Sequence, residues 1–126
     1  MTMTWQAFET TAARIMGDEL NANLAPAHVS GVPKLFDLVS SDKTVVGDAK
    51  FFTLVNGTSP PPAKRSIIAE HVWLLAKTDA TVKFLVFGND RCVPEKWLQK
   101  YGSLVGDVRF YFIDHTAGSV ERLCGG

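Results

Sequence analysis

Residues 82–87 read Val-Lys-Phe-Leu-Val-Phe, an almost wholly apolar run. A strand of that composition is covered on both faces. It therefore belongs inside a sheet flanked by helices, and the fold class follows as α/β with a central mixed sheet. The other segments supply the layers. Thr4 to Leu20 carries Trp5, Phe8, Ala12, Ile15, Met16 and Leu20 at spacings of three and four, an amphipathic helix with Thr4 as its N-cap. A second helix is expected over about Ala63 to Lys77, with Ile67, Ile68, Val72, Leu75 and Ala76 on its buried stripe. Pro94 suits the first turn of a third helix running to about Tyr101.

Lys34–Ser40, Thr44–Leu54 and Val108–Ile113 read as strands, and Ser41-Asp42-Lys43 is a connector of hairpin length. Asn21–Pro33 is broken by Pro26, Gly31 and Pro33 and reads as a loop, with room for an extra strand near Ala27–Val32. Asn56–Pro62 is a turn-rich loop ending in three prolines, and Gly118–Leu123 reads as a final short turn of helix. The order is α-β-β-α-β-α-β, without repeats or linkers, so residues 1–126 are expected to form a single domain.

Thirteen Lys and Arg balance thirteen Asp and Glu, which excludes a polybasic tail or a domain-wide cationic field. Any contact with nucleic acid must then come from a local site. Cys92 and Cys124 form neither a disulfide framework nor a C-x-x-C zinc pattern, and a reducing compartment is expected. No apolar run approaches the roughly 20 residues of a membrane span, and the N-terminus lacks a signal-peptide pattern. The expectation is a cytoplasmic protein without membrane contact.

The chemistry concentrates in Leu35-Phe36-Asp37-Leu38-Val39 and Val45-Val46-Gly47-Asp48-Ala49-Lys50-Phe51-Phe52. Alternation along a strand puts Asp48 and Lys50 on one face with Val46 and Phe52. Lys and Asp are rarely buried in such company without a partner. If the short connector pairs the two strands, Asp37 lies beside Asp48. Two adjacent carboxylates repel and raise one pKa unless a cation sits between them. Mg²⁺ takes one or two carboxylates plus water and phosphate oxygens, and a neighbouring lysine can steady a water as nucleophile. Glu9, on the edge of the first helix's apolar stripe, could face the same end of the sheet.

Asp37 followed by Asp48-Ala49-Lys50 resembles the signature of the PD-(D/E)xK nuclease superfamily, the restriction-endonuclease-like fold. The resemblance covers roughly residues 4 to 90. A helix with Glu9, a strand with Asp37, a strand with Asp48 and Lys50, a helix and a further strand stand in the family's order. It implies an αβββαβ core and a nuclease cutting phosphodiester bonds of nucleic acid, DNA foremost, with Mg²⁺ or Mn²⁺. It also implies that Asp37, Asp48 and the Ala49 carbonyl bind the metal, that Lys50 orients the attacking water, and that Glu9 supports the metal through water. The sequence departs from the pattern at Phe36, where the family has proline, and Glu9 has no motif around it. So short a chain leaves little room for a recognition domain, so a homodimer or a partner protein is expected to supply specificity.

Two other functions stay open: a non-catalytic nucleic-acid-binding or assembly subunit of the same fold, and a plain α/β interaction protein. Asp48 and Lys50 could form a solvated surface pair, Asp37 could cap a turn, and Glu9 could be an ordinary helix-edge residue. His28, His71 and His115 fit no zinc helix, and a satisfied, partly buried histidine is the default for His71. Trp5, Trp73 and Trp97 read as helix packing residues, and Lys64, Arg65, Arg91 and Lys96 as solvated charges.

Overall fold

The computed structural model describes residues 3–52 and 62–124. Three helices flank one open, mixed, six-stranded sheet. In chain order the elements are α1 (Trp5–Leu20), β1 (Ala25–Val29), β2 (Val32–Val39), β3 (Val45–Lys50), α2 (Pro62–Ala76), β4 (Val82–Phe87), α3 (Cys92–Tyr101), a 3₁₀ turn (Gly102–Leu104), β5 (Arg109–Asp114) and β6 (Ser119–Cys124). The strands lie in sequence order across the sheet. β1, β2 and β3 pair antiparallel, β3, β4 and β5 pair parallel, and β6 returns antiparallel on β5. β3 is thus the strand where the antiparallel half meets the parallel half. No helix among the described residues is long and apolar enough to cross a membrane.

The expected loop over Asn56–Pro62 lies outside the described residues except for Pro62, which opens α2. Two expectations are corrected. The stretch read as a final turn of helix is the edge strand β6, reached through a tight turn. Asp114 Oδ1 accepts the N–H groups of Thr116 and Ala117 there, and Gly118 takes a φ of 73°. The strand expected to run to Leu54 ends at Lys50. The extra strand near Ala27–Val32 is β1, with Pro26 on the sheet edge where its missing N–H costs no ladder bond.

Alternation sorts the strands into two faces. Phe84 and Val86 of β4, Val45 and Ala49 of β3, and Tyr111 and Ile113 of β5 pack beneath Phe8, Ala12, Ile15 and Met16 of α1. Leu85 and Phe87, Val46, and Phe110 face the other way, onto Ile68, Val72 and Leu75 of α2 and Val93 and Trp97 of α3. The result is three layers with β4 buried on both faces, as its composition demands. Ala76 is exposed, so the α2 stripe is narrower than its sequence pattern.

Local signals fix the edges of these elements. The Thr4 hydroxyl accepts the Ala7 N–H at 3.1 Å, and Asn21 closes α1 in the left-handed region. Two glycines let the layers close on the site. A Cβ on Gly47 would stand 2.4 Å from the Phe84 ring, and one on Gly88 would stand 2.3 Å from the Phe8 ring. The second contact seats the first turns of α1 over the end of β4. Glu9 reaches the same end of the sheet by following Phe8.

Candidate active site

β3 is buried along its whole length, charged residues included. Its last three residues, Asp48-Ala49-Lys50, end beside β2, α2 and the start of α1, and all four elements line one cleft of about 570 Å³. The carboxyl ends of parallel strands are where open α/β sheets bind ligands.

Asp37 and Asp48 hold each other through the backbone. The Asp37 N–H donates to Asp48 Oδ1 at 2.9 Å, and the Ala49 N–H donates to Asp37 Oδ2 at 3.1 Å. Side chains take over where the β2–β3 ladder, which pairs Leu38 with Gly47 and Val39 with Val46, would otherwise continue. On its other flank β2 slips in register, since Ala25 faces Val39 while Ala27 faces Phe36. An extra residue in a strand bends it and re-aims its side chains. Here the slip spans Asp37.

Asp48 is 1% exposed, and its Oδ2 gathers three nitrogens: Lys50 Nζ at 2.7 Å, Lys34 Nζ at 3.1 Å and His71 Nδ1 at 3.1 Å. His71 Nδ1 also touches Lys50 Nζ. That nitrogen can donate to Asp48 or accept from Lys50, but not both at once. Burial, then the charge and hydrogen bond of Asp48, push Asp37 up to about 7, against the lowering effect of the Ala49 N–H. Burial also disfavours the Asp48 anion, but His71, Lys50 and the Asp37 hydrogen bond outweigh it and hold Asp48 far below the usual carboxylate range. Burial lowers the Lys50 ammonium, with Asp48 pulling the other way. Glu9 is raised by burial and then by the Asp48 charge; it lines the cleft and senses the cluster from a distance.

The structure therefore brings Asp37, Asp48 and Lys50 into contact, puts Ala49 between them, and leaves Glu9 at the wall of the same cleft. Two members were not expected. His71 sits four residues after Ile67 and three after Ile68, the phase that turns a side chain of α2 toward the sheet. That spacing is a signal in the sequence, though it marks a packed histidine as readily as a site residue. Lys34 had no such signal. Strict alternation puts it opposite Asp37, and the register slip in β2 brings both to one cleft. Lys64 lines the cleft as well, and Trp5 stands at it 57% exposed, so Trp5 is not the packing residue expected from the sequence. Arg91 is engaged with Glu95 and Glu121.

The donor chemistry suits a hard divalent cation. Both carboxylates are oxygen ligands, and a cation between them would remove the repulsion that raises Asp37. Among the described residues no three His, Cys, Asp or Glu side chains form a ready metal group. A Mg²⁺-like ion held here would complete its shell with water and ligand oxygens, as that ion commonly does. It would also take Asp48 Oδ2 from one of its three nitrogen partners. No protein-family model matches this chain, and no curated protein matches its sequence.

Proposed function

We propose that this chain is a metal-dependent nuclease of the restriction-endonuclease-like fold that hydrolyses phosphodiester bonds of nucleic acid, DNA foremost. The observation that carries the reading is the buried contact of Asp37, Asp48 and Lys50 at the mouth of a cleft. A buried ion cluster costs desolvation that packed apolar residues would avoid, so its presence asks for a use. The succession α1, β1–β3, α2, β4 supports the same reading, since it is the αβββαβ order that the motif resemblance implies.

Asp37 and Asp48 would hold Mg²⁺ or Mn²⁺, with the Ala49 carbonyl beside them. When bound, the ion supplies a water of lowered pKa and offsets phosphate charge. The residues do the rest. Lys50 adds no metal bond; its ammonium, anchored 2.7 Å from Asp48 Oδ2, orients the attacking water. That water gives one proton to solvent as it adds to phosphorus, the P–O bond opposite breaks, and the leaving oxygen takes a proton from solvent. Lys34 and Lys64 bring positive charge to the cleft for the neighbouring phosphates. His71 fixes Asp48 and Lys50 relative to α2.

The test is nicking of plasmid and of labelled DNA and RNA with Mg²⁺ or Mn²⁺ against EDTA. Lys50→Ala is expected to lose at least about a thousandfold in rate while binding the metal as before, since an orienting group acts in the transition state. Asp48→Asn and Asp37→Asn are expected to weaken Mn²⁺ binding itself, measured by calorimetry. A second reading, a non-catalytic nucleic-acid-binding or assembly subunit, draws on one feature. Asp48 Oδ2 already has three nitrogen partners, a network complete without a metal. Wild-type protein that neither binds Mn²⁺ nor cuts any substrate would decide for that subunit.

A further inference from the structure

Trp5 opens α1 and stands 57% exposed, yet it lines the cleft that holds Asp37, Asp48 and Lys50. Phe52 lines the same cleft, with Lys64 Nζ 5.2 Å from the centre of its ring. Lys34 joins them there, 3.1 Å from Asp48 Oδ2. Flat aromatic surface and lysine charge therefore meet next to the carboxylates. That pairing matches a ligand made of flat rings strung on phosphates, because each base has a π-face and each phosphate a charge. A peptide or a sugar would use one half of the site and leave the other wet.

The location of the ring restricts the ligand further. In a continuous duplex the base faces are stacked on their neighbours, and the grooves show only base edges. An indole can meet a base face only where the base has left the stack or lies at an end. The cleft, at about 570 Å³, is of the size that encloses a small molecule or a single nucleotide unit. We propose that Trp5 stacks on an unpaired nucleobase beside the phosphate to be cut, so that the substrate is single-stranded nucleic acid or a frayed or flapped end. The proposal rests on the nuclease reading and adds to it the strandedness of the substrate. Trp5 is a binding and specificity residue here, one helical turn before Glu9 on the same wall.

The experiment measures binding of a fluorescein-labelled 12-nucleotide DNA strand and of a hairpin duplex of equal length, in Ca²⁺ to suppress turnover, by anisotropy. Cleavage of the same two probes is followed in Mg²⁺. Wild type is expected to favour the strand in both assays. Trp5→Ala should weaken strand binding about tenfold, within the range of losing one stacked base, and duplex binding by less than about twofold. Trp5→Phe should restore most of the strand affinity. The strand should also quench the tryptophan emission of wild type and leave that of Trp5→Phe nearly unchanged, since Trp73 and Trp97 lie away from this cleft. A merely structural role for Trp5 would weaken both probes alike and produce no such loss of quenching. Equal binding of the strand by wild type and Trp5→Ala, or equal preference for duplex, overturns the stacking. If wild type still cuts and Asp48→Asn does not, the nuclease reading survives that result. Wild type that binds and cuts neither probe removes both.

Discussion

Two carboxylate–cation networks in this chain use the same residue chemistry in opposite surroundings. Around Asp48, three nitrogens converge on a carboxylate that is 1% exposed, and the closest of them, on Lys50, is 7% exposed. Around Arg91, the guanidinium meets Glu95 at 2.8 Å and also Glu121, with all three side chains 42% exposed or more. The Arg91 network ties the start of α3 to β6, and its guanidinium lies 5.7 Å from the Phe112 ring. Water screens it, so its members can separate at little cost. The Asp48 network has no such freedom. Its charges were taken out of water, and Asp48 and Lys50 each favour the other's ionised form. The first network decorates a junction of elements. The second holds a strained balance of charge beside an open cleft, which is how groups with unusual pKa values come to serve chemistry.

The largest effect expected from breaking the comparison is at Asp48. Asp48→Ala removes the carboxylate that the buried Lys50 is bonded to, and Lys34 and His71 lose the same partner. Removing one member of a buried ion pair costs about 3–5 kcal/mol. Urea unfolding of the metal-free protein should show that loss. A change under about 1 kcal/mol would mean that solvent reaches the cluster and that the two networks are alike in kind.

Much of this balance was legible in the sequence. Asp48 and Lys50 share a face because a strand alternates, and the short connection from Val39 to Val45 sets β2 against β3 so that Asp37 meets Asp48. Ser40 and Asp42 lock that turn, with Asp42 Oδ1 accepting from the Thr44 N–H and from the hydroxyls of Ser40 and Thr44. Lys34 was hidden because a register slip is a property of two paired strands, and no single strand announces it. His71 carried a helical phase but nothing to say what lay opposite. β6 was misread because an exposed edge strand, Ser-Val-Glu-Arg-Leu-Cys, has too little apolar alternation to distinguish it from a turn of helix. The real signal was the Asp114–Gly118 turn before it. Trp5 has the phase of the α1 stripe yet is exposed because it is the helix's first residue, whereas Trp73 is exposed because it lies off the Ile68, Val72, Leu75 stripe of α2.

A smaller effect separates repulsion from attraction within the buried network. Asp37 titrates at about 7 in the folded chain, raised by burial and by Asp48 from its ordinary 3.8. Below the unfolded value the group is protonated in both states and costs nothing. Between the two values the folded chain keeps a proton that the unfolded chain has released, so stability falls as pH rises, and the cost is complete above 7. Asp37 remains partly open to water, which discounts the effect to roughly 1–2 kcal/mol. Asp37→Asn can keep the bond from the Ala49 N–H and donate to Asp48. In EDTA it should gain about that much stability over wild type at pH 8 and much less at pH 4. Parallel stability curves for the two proteins would show that Asp37 is not the group under strain.

The smallest effect belongs to the exposed network, and its smallness is the point. Arg91→Ala removes two ion pairs and a contact with the Phe112 ring at once. A buried site losing as many partners would unfold easily. Exposed pairs of this kind return 0–1 kcal/mol each, because the long side chains recover entropy and water replaces the lost bonds. The expected loss is therefore under about 1 kcal/mol in low salt, shrinking further at 1 M NaCl, where screening acts within about 3 Å. The metal binding proposed for Asp37 and Asp48 should not change, since the two networks share no residue. The comparison is sharpened by a double-mutant cycle of Arg91→Ala with Glu121→Ala, read by urea unfolding at both salt concentrations. A coupling energy above about 2 kcal/mol that survives high salt would place the Arg91 network in the buried class, and exposure would then no longer separate the two networks.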